Sequence, residues 1–114
     1  MKFERFEDII AWQKSKELVL SIYSCFKECL DHGLKNQIQR ASISIMNNIA
    51  EGYERKTNKE FSRYLYMAKG SSGEVRSMLY LALELKYINR GDFEKNYDQA
   101  LEISKILSGL IKTL

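Results

Sequence analysis

The residue types best suited to metal chemistry lie together in one short stretch of the chain. Cys25 and Cys29 are four positions apart, and His32, the only histidine, follows them. Thiolates and an imidazole on adjacent helical turns suit zinc, but a structural zinc site normally has four such ligands. We therefore interpret both cysteines as reduced, half-buried thiols and predict no bound metal or cofactor. A metal-dependent enzyme built on these three residues is the weaker alternative.

Two glutamates, Glu51 and Glu74, are the other candidates for chemistry. A pair of carboxylates can serve acid–base catalysis or bind a metal when a fold brings the two together. The sequence lacks the Glu-x-x-His motif of di-iron bundles, and nothing near His32 completes a Ser-His-Asp triad. We instead expect the glutamates to pair with Arg40 or Arg76 across helices and so to fix their register. No enzymatic activity is predicted.

Positive charge is concentrated in one part of a chain that is only mildly basic, with a formal net charge of +3. The excess of Lys and Arg over Asp and Glu falls in residues 58–91 and at the junction before them. Clustered cations suit phosphate contacts, and Tyr66 among them suits base stacking. The alternative is an ordinary solvated helix surface, which composition alone favours. The candidate nucleic-acid-binding residues, termed the basic face, are Arg55, Lys56, Lys59, Arg63 and Lys69.

Long helices must position these residues. The 114 residues include no proline and are 45% hydrophobic, which favours uninterrupted helices around one core over a β-sandwich. Apolar residues recur at steps of three and four, the helical period. The sequence therefore predicts an all-α protein of one domain, residues 1–114, folded as an antiparallel up-down-up-down four-helix bundle. The predicted helices span about residues 8–30, 34–53, 58–86 and 92–114.

Particular residues are expected to begin and end these helices. Asp8 is predicted to cap the first helix and Asp92 the last. Gly33 suits the left-handed position that follows a helix C-terminus. Thr57 and Glu60 form the T-x-x-E pattern of a capping box at the start of the third helix.

The stretch from Arg40 to Arg55 is expected to form the central helix. Its apolar residues make two stripes, more than one buried face needs, which predicts contact on two sides and with another subunit. Gly52 either ends this helix or permits a neighbouring backbone to come close. A polar row between the stripes is interpreted as fixing register, and it consists of Arg40, Ser44, Asn47, Asn48 and Glu51.

The middle of the third helix is rich in small residues, reading KGSSGE over residues 69–74. Each glycine in a helix interior costs up to about 1 kcal/mol relative to alanine. We interpret Gly70, Ser71 and Gly73 as permitting close approach of another helix, with a kink or a ligand notch as the alternatives. A phosphate loop is excluded because no Walker pattern or preceding strand accompanies the glycines.

Nothing in the sequence indicates export or membrane insertion. The chain does not open with a charged segment followed by an apolar one, and no run approaches the roughly 20 apolar residues of a membrane span. We therefore expect a cytoplasmic protein without membrane contact.

The segment QIQRASISIMNNIAEGYERKTNKEFSRYLYMAKGSSGEV resembles the four-helix-bundle proteins encoded in intervening sequences of bacterial 23S ribosomal RNA genes. That family has an Arg-Ala…Ser-Ile…Asn-Ile-Ala-Glu-Gly segment, an aromatic-rich stretch and then Ala-x-Gly-Ser-x-x-Glu. The chain departs from the family at Lys27 and Met46, where proline is frequent. The matching residues are Asp8, Trp12, Gln13, Arg40, Ala41, Ser44, Ile45, Asn48, Ile49, Ala50, Glu51, Gly52, Ala68, Gly70, Ser71 and Glu74.

The resemblance implies a bundle that assembles as a homopentameric ring, around which a small charged patch would be repeated. The chain is also similar to the accessory variability determinant of diversity-generating retroelements, a basic pentamer that binds nucleic acid and a reverse transcriptase. We therefore expect a non-enzymatic homo-oligomer that binds RNA or DNA through the basic face. The alternative is a scaffold that docks a polymerase or reverse transcriptase. The residues assigned to packing and assembly are Arg40, Asn48, Glu51, Gly52, Gly70, Ser71 and Glu74.

Overall fold

A computed structural model describes residues 3–114, so the first two residues of the predicted domain lie outside the described part. A short 3-10 helix, Phe6–Asp8, precedes four α-helices, and residues 3–114 contain no strand. The predicted all-α four-helix bundle is confirmed. Its helices are α1 (Ile10–Cys25), α2 (His32–Tyr53), α3 (Asn58–Glu84) and α4 (Arg90–Ile111).

The helices lie side by side along the long axis of the molecule. Helix α3 has 27 residues and therefore a length of about 40 Å at 1.5 Å per residue, close to the 43 Å long dimension of the protein. Short connections make consecutive helices antiparallel neighbours. Helix α2 packs against α1 and α3, and α4 packs against α3 and α1, so α1 and α3 lie diagonally across the bundle. The most extensive of these interfaces joins α2 to α3.

The core contains the apolar residues that recur with helical period. In α2, Ile38, Ile45 and Ile49 are fully buried, whereas Ile43 and Met46 on the second stripe are only half-buried. Within a single chain, then, one of the two predicted stripes is completely covered. The other large, fully buried side chains are Ile9, Leu18, Ile22, Phe26, Leu65, Val75, Leu79, Ile103 and Leu107. No helix in the described part of the chain is long and apolar enough to cross a membrane.

Two of the predicted N-caps are wrong. Asp8 belongs to the 3-10 helix, where its carboxylate lies 3.5 Å from Arg5, and Ile9 occupies the N-cap position of α1 without a side-chain bond. Asn89, rather than Asp92, caps α4, because its side chain accepts a 2.7 Å hydrogen bond from the Asp92 backbone N–H. The Thr57 cap is confirmed by a 3.1 Å bond from the Glu60 backbone N–H to its hydroxyl.

The glycine at the first connection also differs from the prediction. Gly33 lies in the first turn of α2 and has no positive φ, while Asp31 caps that helix. The left-handed residue of the described chain is instead Lys86, with φ of 65°, at the end of α3. Bonds from Tyr87 N to the Ala82 carbonyl (2.9 Å) and from Lys86 N to the Leu83 carbonyl (3.0 Å) form a Schellman motif there.

The Asp31 cap is expected to make the stability of the bundle depend on pH in acid. A hydrogen bond from the Leu34 backbone N–H, followed by one from the Tyr87 hydroxyl at 3.0 Å, holds the pKa of Asp31 below its ordinary 3.8. Because the pKa of Asp31 is lower in the folded state than in the unfolded state, the ionised carboxylate stabilises the fold at pH values above its ordinary pKa. This stabilisation is lost as the pH falls through the lowered pKa of the folded state. We expect Asp31→Ala to lower the thermal midpoint at neutral pH, with the difference from wild type narrowing in acid.

Thermal unfolding followed by circular dichroism, at neutral pH and well below pH 3.8, measures this difference. Glu28→Ala is the matched control, because Glu28 is an exposed carboxylate in the same connection. A deficit in Asp31→Ala that is equally large at both pH values would contradict the assigned role.

Candidate nucleic-acid interface

Helices α2 and α3 come very close together at the end of the hairpin that they form. Gly52 is buried in the last turn of α2, and a Cβ atom there would lie 2.6 Å from Tyr64 Cβ and 3.1 Å from Phe61 Cδ1. Any side chain would therefore force the helices apart. Of the two roles considered for Gly52, the structure shows the close approach, which brings the connection at residues 54–57 alongside the first turns of α3.

The close approach places Arg55 against Tyr64. Arg55 Nη2 lies 3.0 Å from Glu51 Oε2 and also donates to the Tyr64 hydroxyl, and its guanidinium is 4.9 Å from the centre of the Tyr64 ring. The Tyr64 hydroxyl, and secondarily the Glu51 carboxylate, raise the pKa of Arg55 above its ordinary value. Arg55 therefore remains a cation, but one that is already engaged by a carboxylate. Because both side chains are exposed, this ion pair contributes only modestly to the stability of the protein.

The remaining cations of the basic face are available to a ligand. Lys56, Lys59 and Arg63 are exposed, and Lys69 is half-buried. Within residues 3–114, none of these four forms a salt bridge. Positions 59, 63, 66 and 69 fall on one side of a helix with 3.6 residues per turn, and they extend over about 15 Å. The basic face is thus a continuous positive strip that begins at the α2–α3 connection.

A depression of about 340 Å³ adjoins this strip. Phe61 and Tyr53 contribute apolar surface, and the Tyr53 hydroxyl donates a 2.6 Å bond to the Phe3 carbonyl that holds the N-terminal segment at the wall. The depression also contains Thr57 at the N-terminus of α3, the positive end of the helix dipole. Its complete lining is Phe3, Tyr53, Glu54, Arg55, Lys56, Thr57, Asn58 and Phe61.

Part of the polar row of α2 makes a direct connection to α3. The Ser71 hydroxyl donates a 2.9 Å hydrogen bond to the Ser44 hydroxyl, and Asn48 Nδ2 donates to the Ser44 carbonyl (2.9 Å) and hydroxyl (3.0 Å). Because buried and half-buried hydroxyls need specific partners, these bonds disfavour sliding of one helix along the other. The geometry gives Ser44, Asn48 and Ser71 a role in register.

The predicted interhelical ion pairs are wrong. Glu51 pairs with Arg55, one turn along the same chain, whereas Arg40 lies three turns away from Glu51. Arg40 and Glu74 line one shallow groove of about 270 Å³ but form no salt bridge. Within the described chain, Arg76 forms no salt bridge either; the Tyr80 hydroxyl first, and Arg76 second, hold the pKa of Tyr97 in α4 below its ordinary value.

The small residues of α3 divide into two groups. Ser71 and Ser72 are buried, and the Ser72 hydroxyl donates a 2.8 Å bond to the Ala100 carbonyl of α4. Gly70 is exposed, with nothing within 4 Å of a Cβ built on it, and a Cβ on Gly73 would meet only Arg76 Nη2, at 3.8 Å. The predicted close approach of another helix at these two glycines is therefore wrong within the single chain.

The three potential metal ligands of the first connection are separately engaged. Asn96 Nδ2 donates to Cys25 Sγ at 3.1 Å, and Cys29 is buried with its Sγ 3.8 Å from the Asp31 carbonyl. His32 is exposed at the start of α2. In the part of the chain that the structure covers, no group of three or more His, Cys, Asp or Glu residues is placed to hold a metal ion.

The sequence patterns did not indicate a role for Tyr64. The available signal was chemical: a tyrosine at the edge of a core needs a partner for its hydroxyl. Tyr64 has such partners in Arg55 and Glu51, and the Arg63 guanidinium lies 5.9 Å from its ring centre.

The comparisons with known proteins agree with this architecture. A crystal structure of a protein of unknown function from the S23 ribosomal protein family of Bacteroides thetaiotaomicron superposes with a TM-score of 0.84 at 27% sequence identity. The alignment covers 90% of this chain and 99% of that one. A search of curated proteins gave no match. The family described as 23S rRNA-intervening sequence protein matches residues 7–109, and the chain therefore belongs to that family.

Proposed function

We propose that this protein is a non-enzymatic, homo-oligomeric bundle that binds RNA or DNA through the basic face. The observation that carries the proposal is the strip of four cations, Lys56, Lys59, Arg63 and Lys69, without carboxylate partners in the described chain. Unpaired lysine and arginine side chains bind phosphates by releasing the counterions condensed on a nucleic acid. The chain belongs to the family described as 23S rRNA-intervening sequence protein, and this membership supports the same class of ligand.

Self-association is supported by exposed apolar side chains on the outer surface of α3 and at its C-cap residue, Leu85. Met67, Leu81 and Leu85 are 46%, 50% and 47% exposed, and their spacing places them on one side of the helix. Exposed apolar residues grouped on one side of a helix are typical of surfaces that bind protein. The resemblance to the intervening-sequence bundles extends this proposal to a homopentameric ring. The same residues favour the second candidate function, a scaffold that docks a polymerase or reverse transcriptase.

Fluorescence anisotropy with a labelled RNA, across a series of salt concentrations, tests nucleic-acid binding. Each phosphate contact on a single strand contributes about −0.7 to the slope of log K against log salt, so four cations predict a slope near −3 for each engaged chain. Light scattering on the same samples gives the molar mass of the protein and of its complex. Absence of RNA and DNA binding at low salt would contradict the proposal, and capture of a polymerase without nucleic acid would favour the scaffold.

A further inference from the structure

Tyr66 is an exposed aromatic residue within the strip of cations on α3. Its side chain is 59% exposed, and the basic-face residues Lys59, Arg63 and Lys69 precede and follow it on the same side of the helix. Within residues 3–114, Tyr66 takes part in no ring–ring or cation–ring pair. The preceding tyrosine, Tyr64, is by contrast engaged by two guanidinium groups. The ring of Tyr66 is therefore free for a ligand.

Gly70 keeps one side of this ring open. Side chains on an α-helix lean toward its N-terminus, so a residue at position i+4 covers the residue at position i. Gly70 stands four positions after Tyr66, has no side chain, and is bordered by open space where a Cβ would be. Gly70 lowers helix stability and contributes no close packing within the described chain. Its effect is to leave the ring of Tyr66 uncovered on that side.

We propose that Tyr66 stacks on an unpaired base and that the basic face consequently prefers single-stranded nucleic acid to a duplex. This inference rests on the proposed function and names its ligand class. Every base has a face on which an aromatic ring can stack, but in a duplex both faces are covered by neighbouring base pairs. Cations before and after the ring are placed to contact phosphates on either side of the stacked nucleotide. A duplex can make the phosphate contacts only.

The experiment compares a labelled single-stranded RNA with the same strand annealed to its complement, at one salt concentration. Stacking of one base on an aromatic ring is expected to strengthen single-strand binding roughly tenfold or more, and wild type should therefore prefer the single strand. Tyr66→Leu is expected to lose this preference through weaker single-strand binding, with duplex affinity and salt slope unchanged, since stacking releases no counterions. Tyr66→Phe keeps the ring and should bind as wild type does.

Two further variants test the geometry. Gly70→Leu is expected to cover the ring and to weaken single-strand binding as Tyr66→Leu does, while circular dichroism remains that of a folded bundle. Tyr23→Leu is the matched control and should leave binding unchanged, because Tyr23 is an exposed tyrosine on α1, diagonally opposite α3. A 2-aminopurine base in the RNA reports stacking directly, through fluorescence quenching by wild type that Tyr66→Leu abolishes.

The outcomes separate this inference from the proposed function. Salt-dependent binding that is equal for single strand and duplex, or that is unaffected by Tyr66→Leu, would overturn the stacking site and leave nucleic-acid binding in place. A change of molar mass in Tyr66→Leu or Gly70→Leu, measured by light scattering, would overturn it by placing these residues in a contact between subunits. Failure of wild type to bind either nucleic acid would overturn both proposals.

Discussion

Replacement of Gly52 by alanine is expected to lower the free energy of unfolding by about 2 kcal/mol, since overpacking a well-packed site typically costs 1–3 kcal/mol or more. The new methyl group would lie 2.6 Å from Tyr64 Cβ and 3.4 Å from the Phe61 carbonyl oxygen. Both atoms belong to or adjoin the backbone of α3, so the conflict cannot be relieved by rotating a side chain. The helices must separate. The gain in helix propensity, up to about 1 kcal/mol, offsets only part of this cost.

Urea unfolding followed by circular dichroism, at one fixed protein concentration, measures the change. Gly70→Ala is the matched control: it makes the same chemical change in a helix, but where the methyl group meets nothing within 4 Å. That control is expected to be more stable than wild type by up to about 1 kcal/mol. A Gly52→Ala protein at least as stable as wild type would show that α2 and α3 are not in close contact there.

Removal of the four unpaired cations of the basic face is expected to reduce RNA affinity by roughly 10²- to 10³-fold near 0.1 M salt, and to reduce the salt slope by about 3. The expected loss follows from counterion release, to which each lost phosphate contact contributes about 0.7 of a log unit at that salt concentration. Arg55 is left in place because it pairs with Glu51 and contacts Tyr64. The substitutions, all to glutamine, are at Lys56, Lys59, Arg63 and Lys69.

A second variant with four exposed lysines replaced elsewhere distinguishes a local site from the effect of total charge. Both variants lose four positive charges, so the formal net charge changes from +3 to −1 in each. If the basic face is the site, the control variant should keep most of the affinity of wild type. Equal losses in the two variants would instead indicate non-specific attraction. The control positions are Lys27, Lys95, Lys105 and Lys112.

Much of the fold could be predicted from the sequence because it depends on periodicity. Apolar residues at steps of three and four, without proline, are sufficient to identify four helices and a buried stripe on each. The ends of the helices were less predictable, because several neighbouring residues at each end could serve as the capping residue. Gly33 suits a left-handed turn better than Lys86, yet Lys86 adopts it. There the turn leaves Ile88 buried and Tyr87 bonded to Asp31, which offsets the local backbone cost.

The candidate site was predictable only where it depends on local density of charge. Lys56, Lys59 and Arg63 are close together in sequence and remain together on the surface. The cluster of Arg55, Glu51 and Tyr64 was not predictable, because it exists only where two helices meet closely at a glycine. The expected ion pairs with Arg40 and Arg76 are absent from the described residues for a related reason. The sequence does not show which side of a helix faces which neighbouring helix.

The order of the helices around the bundle has a consequence for how the chain reaches its structure. Of the four interfaces among the α-helices, three join helices that follow one another along the chain, and the fourth, α1 against α4, joins distant segments. The entropy cost of closing a loop grows with loop length, so contacts between consecutive helices form at little cost and domains rich in them fold quickly. The α2–α3 hairpin, which has the most extensive interface, can thus be complete before α4 has been synthesised. The basic face therefore lies on a hairpin whose contacts can form before the interfaces with α4.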